Sequence, residues 1–149
     1  MSQRSVFTSL VFVSDHAGFA LKNVLRGEAE AMGLQVHDLG THSADAVDYP
    51  DVAKTGMEAL ISGQAEAGVF ICGSGIGISM AANRHPAIRA AVCNDGPTAA
   101  RMTRQHNNAN VLCLGERLIT PAVAIDTLKA FLSTPFEGGR HALRIAKFS

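Results

Sequence analysis

The run Gly68-Val69-Phe70-Ile71-Cys72-Gly73-Ser74-Gly75-Ile76-Gly77 decides how this chain is read. Its first half is a continuous apolar stretch of strand length. Its second half sets glycine at alternate positions and leads into residues 78–83, which have helical character. A short strand without polar alternation is buried on both faces, as in parallel sheets covered by helices. The same unit recurs outward in both directions. Upstream, the apolar residues 10–13 precede His16-Ala17-Gly18, after which Leu21, Val24, Leu25, Ala29 and Met32 recur at helical spacing until Gly33. Residues 36–39 read as a second strand, 40–50 as a polar loop, and 52–62 as a helix stopped by Gly63. Downstream, residues 88–93 read as a fourth strand, followed by Asn94-Asp95-Gly96-Pro97 and a helix to about residue 106. Residues 111–114 make a fifth strand, and Thr120-Pro121 supplies an N-cap with proline in the first turn of a helix to about residue 132. A Gly138-Gly139 turn leads to a short C-terminal helix. The pattern predicts a single α/β domain over residues 1–149: a Rossmann-like, doubly wound, parallel five-stranded sheet in three α/β/α layers. If the strands take the common order 2-1-3-4-5, the ligand crevice falls between strands one and three. Those strand ends carry Asp15-His16 and the glycine loop after Cys72.

Composition narrows the partners. The 149 residues include 13 Lys+Arg and 13 Asp+Glu, a net charge of zero, which gives no reason to expect nucleic acid or a membrane surface. Three cysteines, Cys72, Cys93 and Cys113, form an odd set without C-x-x-C spacing. Neither a disulfide framework nor a zinc site is expected, and a reducing cytoplasm fits best. No apolar run approaches the roughly 18 residues of a membrane span. The apolar residues 6–13 meet Ser14-Asp15-His16 with no small-x-small cleavage site, so they read as a strand and not as a signal peptide.

Several segments carry chemistry. Gly73, Gly75 and Gly77 leave backbone N–H groups free to face an anion at a helix start, although a plain tight turn is an equal reading. No Gly-Lys-Ser/Thr follows, and Ile78 stands where a dinucleotide loop has its third glycine. Cys72 adjoins that helix start, whereas Cys93 and Cys113 have no such neighbour and are expected in the core. Asp15 is either a cap for the next helix or a ligand for a sugar hydroxyl, and His16 either an exposed side chain or an anion contact. His106 is either a helix C-terminal cap or an acid/base group, the latter if its helix ends at the crevice. Arg140 and Arg144, four apart on one helix face, repel each other unless an anion lies between them, and arginine suits phosphate. The six histidines show no recognised metal spacing, so no metal and no cofactor are expected.

Together these segments resemble the type B ribose-5-phosphate isomerases, part of a ribose/galactose sugar-phosphate isomerase family. The resemblance runs from Val11 to about Arg144 and rests on six stretches in order. They are Ser14-Asp15-His16-Ala17-Gly18, Asp48-Tyr49-Pro50, Cys72 through Ser79, Ala81-Ala82-Asn83, Arg104 through Asn110, and Glu137-Gly138-Gly139-Arg140-His141. It implies aldose-ketose isomerisation through a cis-enediolate, with ribose 5-phosphate and ribulose 5-phosphate as the leading pair. Cys72 stands at the family's base position. Some members carry a Glu four residues beyond the loop Ser instead, and here Ile78 occupies that place. By the same resemblance Ser74 and the N–H groups of Gly73, Gly75, Ile76 and Gly77 hold the enediolate oxygen. His106, helped by Asp15, opens the furanose ring. His16, Arg117, Arg140 and Arg144 match phosphate-binding positions, and Asn107 and Tyr49 line the sugar. The last two arginines reach across from a partner subunit, which implies a homodimer with composite sites and leaves tetramers open. Ser14 and Ser74 replace a common Cys and Thr, and Asn94 through Pro97 is less typical. Three alternatives remain: a four- or six-carbon sugar phosphate (erythrulose, allose or galactose phosphate), a catalytically silent sensor, or a nucleotide-binding module with Asp95, 20 residues past Gly75, on a ribose hydroxyl.

Overall fold

The computed structural model describes residues 4–149. Five parallel strands form one sheet: β1 (Ser9–Ser14), β2 (Gln35–Asp38), β3 (Ala67–Cys72), β4 (Ala90–Val92) and β5 (Val111–Gly115). Helices α1 (Phe19–Ala31), α2 (Tyr49–Ile61), α3 (Ile76–Ala82), α4 (Pro97–Asn107), α5 (Pro121–Ser133) and α6 (Arg140–Ile145) cover it. β1, β3 and β5 are buried along their whole length, which is why their sequences are uninterrupted apolar runs.

The strand order is β2-β1-β3-β5-β4, not the 2-1-3-4-5 expected. The last two strands exchange places, and burial explains why. Val111 to Leu114 are completely buried and need neighbours on both sides, whereas β4 is short, rich in alanine and partly exposed. β4 therefore takes the edge, and the strand expected over 88–93 shrinks to three residues. Because crossovers between parallel strands are right-handed, stepping back from β4 to β5 puts α4 on the opposite face from α2 and α3. The core divides accordingly. One cluster packs Leu21, Leu25, Ala100, Leu128 and Phe131 against the sheet, and the other packs Ala53, Ala59, Ile78 and Ala82. The reversal of strand order between β1 and β3 survives the exchange, so the crevice stays where it was expected.

Local signals act as read. The Thr120 side chain accepts a hydrogen bond from the N–H of Val123, 3.3 Å, with Pro121 opening α5. α4 closes on Asn108 in the left-handed conformation, φ 48°. One tie could not be read locally. Lys22 on α1 is fully buried, and its ammonium donates to Asp38 Oδ1 and to the Thr41 carbonyl, both at 2.5 Å. Burial alone pushes the Asp38 carboxyl up. Lys22, the Gly40 N–H and the nearby His42 outweigh that and hold it below its usual 3.8.

Candidate active site

At the carboxyl end of β3 the Cys72 sulfur accepts a hydrogen bond from the Gly75 N–H, 3.1 Å, and only 5% of the residue is exposed. It opens on a cavity of about 350 Å³ bordered by Asp15, Tyr49, Ser74, Arg117 and Leu118, with Gly73 and Gly77 in its wall. The glycines make this packing possible. Gly75 has φ 78° and lies so close to the Leu114 backbone that a Cβ would come within 2.8 Å of its carbonyl carbon. A Cβ on Gly77 would come within 2.7 Å of the Tyr49 ring, and one on Gly73 within 3.0 Å of the Arg117 guanidinium. Both side chains lean on the loop because it has none of its own there.

The remaining loop and strand-end groups are fixed by hydrogen bonds. Ser74 Oγ accepts from the Ile76 N–H, 3.1 Å, which leaves its own proton free to donate outward. Asp15 is the cap that one reading expected: Oδ1 accepts from the N–H groups of Ala17 and Gly18, at 3.0 and 3.1 Å. It also borders the cavity. His16 is exposed beside it, and its Nδ1 accepts from the Val47 N–H, 3.2 Å, which leaves Nε2 as the donor nitrogen. Ile76, the first residue of α3, is 47% exposed. The other two cysteines lie in the core: burial and Asp95 push the Cys93 thiol up to about 12, and burial holds Cys113 well above the usual range.

Three residues that the sequence left out hold the crevice together. Asn94 donates to the Ser74 carbonyl, 2.7 Å, and accepts from the Gly115 N–H, 2.8 Å, clamping the loop to the end of β5. Gly115 allows that contact, since a Cβ there would come within 2.3 Å of Ser74. Glu116 accepts from the Leu21 N–H, 2.6 Å, and so anchors the first turn of α1. Each tie joins positions about 20 or more apart in the chain, and no local motif signals it.

The remaining residues gather elsewhere. α4 runs antiparallel to the strands, so His106 and Asn107 lie at the amino edge of the sheet, where the Gly68 N–H donates to the Asn110 carbonyl, 2.8 Å. Four residues separate the Gly68–Val111 rung from the Cys72–Gly115 rung, about 13 Å of strand. The condition that α4 end at the crevice is therefore not met within one chain. His106 instead stacks on His141 of α6, with ring centroids 4.5 Å apart. His106, Glu137 and His141 offer ligand-type atoms all within 4.8 Å of one another, a group that sequence spacing missed because it joins the end of α4 to the loop before α6 and to α6 itself. The two ring planes are 21° apart. His141 is buried with no hydrogen-bond partner for Nε2, and desolvation together with Arg140, His106 and Arg144 lowers its pKa against the pull of Glu137. Arg140 and Arg144 are exposed on α6. Asn107 borders a different cavity, of about 490 Å³, with Arg89, Thr103 and Phe148.

Residues 10–148 match the family model described as Ribose/Galactose Isomerase. The chain belongs to that family. It is 40% identical to the ribose-5-phosphate isomerase B of Escherichia coli over 136 residues, 91% of each chain. Its fold is similar to the solved ribose-5-phosphate isomerase of Thermotoga maritima, with a TM-score of 0.92, 46% identity, and 95% of this chain and 97% of that one covered. The Clostridium thermocellum ribose-5-phosphate isomerase B gives a TM-score of 0.91 at 45% identity, covering 93% of each chain. The nucleotide-binding alternative fails on topology within this family fold. Asp95 follows β4, which β5 separates from β3 by about 10 Å, so it is not on a strand beside the glycine loop.

Proposed function

We propose that this chain interconverts ribose 5-phosphate and ribulose 5-phosphate through a cis-enediolate, with Cys72 as the base. The observation that carries the reading is the position of the Cys72 sulfur, held by the Gly75 N–H beside Ser74, Asp15 and Arg117 in one cavity. The sulfur takes the C2 proton of the open-chain aldose and returns it to C1. The electron pair left on carbon forms the C1–C2 double bond as the carbonyl pair moves onto the C1 oxygen, making the enediolate. When C1 takes the proton back, the C2 hydroxyl proton passes to the C1 oxygen and the pair left on the C2 oxygen forms the ketose carbonyl. Ser74, whose hydroxyl proton is uncommitted, donates to the enediolate oxygen; one well-placed donor is worth about 3 kcal/mol. The Gly75 and Ile76 N–H groups are already engaged, by Cys72 and Ser74, so their part is to hold those two side chains. Gly77 and Tyr49 border the sugar, and Arg117 and His16, through Nε2, bind the phosphate.

The reading extends to a homodimer with composite sites. His106, which opens the furanose ring, and Asn107, Arg140 and Arg144, which hold the substrate, serve the Cys72 cavity of a partner subunit. The placement of these four residues at the far edge of the sheet supports this. So do the exposed apolar side chains beside each half: Ile76 and Met80 near the cavity, and Leu143 (71% exposed) and Phe148 (63%) on or after α6. Three free, buried cysteines fit a reducing cytoplasm, and no described helix is long and apolar enough to cross a membrane.

A coupled ketose assay with ribose 5-phosphate tests the activity, and rapid ketose formation is expected. The proposal is overturned if the purified chain leaves ribose 5-phosphate and its four- and six-carbon analogues unchanged. Turnover of an analogue but not of ribose 5-phosphate would reassign the substrate.

A further inference from the structure

Arg104 is 4% exposed, on the last turn of α4, and among the described residues no carboxylate lies within ion-pair distance of it. A buried guanidinium without a counter-charge is costly, and burial, with Arg89 nearby, lowers its pKa. It persists because its fork joins two segments, the residues just after α4 and the end of α5. Nε donates to the Thr134 carbonyl at 3.0 Å, and Nη1 donates to Asn108 Oδ1 at 2.9 Å and to the Ala109 carbonyl at 2.7 Å. Its face lies 4.8 Å from the Phe7 ring centroid and 5.9 Å from that of Phe131. On one side of this knot, two and three residues along, are His106 and Asn107. On the other, Thr134 leads into the segment whose Glu137 N–H donates to the Gln105 carbonyl, 3.1 Å, and which carries Arg140, His141 and Arg144. Every residue of the far-edge cluster hangs from one of the strands of chain that Arg104 ties together.

We infer that Arg104 is a positioning residue for the half-site this chain presents to its partner. It sets the spacing between the end of α4 and α6 while having no contact with the Cys72 cavity of its own chain. The inference rests on the composite-site reading. In an Arg104→Met variant, which keeps the bulk over the phenylalanine rings and loses the fork, turnover falls about 100-fold, the scale of an ångström misplacement in a site.

The test is complementation in trans. Cys72→Ala and Arg104→Met chains carrying different tags are co-expressed. In a heterodimer one site holds both lesions and the other holds neither. Half of the randomly paired dimers are heterodimers, so activity returns to about a quarter of wild type. Cys72→Ala paired with His106→Asn is the control for the composite reading. If the control pair regains activity and the Arg104 pair does not, the inference is overturned and Arg104 supports its own chain as a whole. If neither pair regains activity, the composite reading itself fails. Should Arg104→Met not fold, Asn108→Gly replaces it in the same mixture: glycine keeps the left-handed backbone and removes only the side-chain acceptor. Restoration with that variant supports the inference, and its absence beside a working control overturns it.

Discussion

The two edges of the sheet are built in opposite ways. At the carboxyl edge, four groups that shape the crevice are tied within the chain, Cys72 with Gly75, Ser74 with Ile76, Asp15 with Ala17 and Gly18, and Asn94 with both Ser74 and Gly115, while Ser14 Oγ at the end of β1 is buried without a hydrogen-bond partner. At the amino edge, His141 Nε2 is buried with no hydrogen bond and with Glu137 Oε1 3.7 Å away, two arginines share one exposed face, and Leu143 and Phe148 stand in solvent. An edge tied mostly within the chain and an edge with exposed apolar and cationic side chains fit the composite site proposed above, in which a second copy would complete the amino edge. The difference separates two kinds of lesion. On the proposed reading, those at the carboxyl edge strike chemistry or the fold of one chain, and those at the amino edge strike what a partner receives.

The largest effect is expected at Cys72. Cys72→Ala lowers turnover by about 10³-fold or more, the scale of a lost general base, and leaves circular dichroism and sugar-phosphate binding unchanged. Cys93→Ala and Cys113→Ala should not lower turnover in this way, because those thiols sit in the core. Equal losses at all three positions would remove the distinction that singles out the carboxyl edge.

Next comes the support of that edge. Asp38→Asn leaves the buried Lys22 ammonium without its counter-charge and is expected to cost about 3 kcal/mol, measured by urea unfolding at neutral pH. The sign with pH follows from the depressed carboxyl. Asp38 is lowered below its usual 3.8 in the folded chain, so its contribution is complete above that value and is lost as pH falls through the folded pKa. The gap between wild type and Asp38→Asn should therefore close below pH 3.8. A gap that stays constant into acid would mean that the pair with Lys22 does not set the stability of this edge.

At the amino edge, Arg140→Ala and Arg144→Ala are expected to raise KM about tenfold each, the value of a charge-assisted contact, with little change in thermal midpoint. A fall in midpoint without a change in KM would show these arginines holding their own chain and not a partner's substrate.

How far these edges could be read in advance depends on the range of the interaction. The Cys72–Gly77 loop, the Thr120-Pro121 cap and the Gly63 stop are local, and each acts as its spacing predicts. The exchange of β4 and β5 is a competition for burial between strands whose paired residues, such as Ala90 and Val111, lie far apart in the chain, which a local window does not weigh. Still, the contrast between Val111-Leu112-Cys113-Leu114 and the alanine-rich stretch after Arg89 was a usable sign. The position of His106 was legible in principle, because a helix between two parallel strands returns to the amino edge before the next strand begins. The resemblance named the candidate residues but could not by itself say which edge each one occupies. Asn94, Glu116 and Arg104 act through hydrogen bonds to backbone groups; Asn94 reaches Ser74, Glu116 reaches Leu21, and Arg104 reaches Thr134. Their residue types alone carry no trace of it.

The smallest change expected in the chain itself is the one that probes the amino edge most directly. Leu143 is 71% exposed on α6, so Leu143→Ser should alter the unfolding free energy of the isolated chain by no more than about 0.5 kcal/mol. In an assembly the same side chain has somewhere to go, and its removal forfeits the apolar area it would bury there. Sedimentation velocity over a dilution series separates these outcomes. If α6 docks on a second copy, the variant dissociates at higher protein concentration than wild type while its monomer melts normally, and activity falls on dilution in step with dissociation. If the association curve and the dilution dependence of activity both match wild type, Leu143 is an ordinary exposed leucine, and the amino edge must be completed through residues other than those of α6.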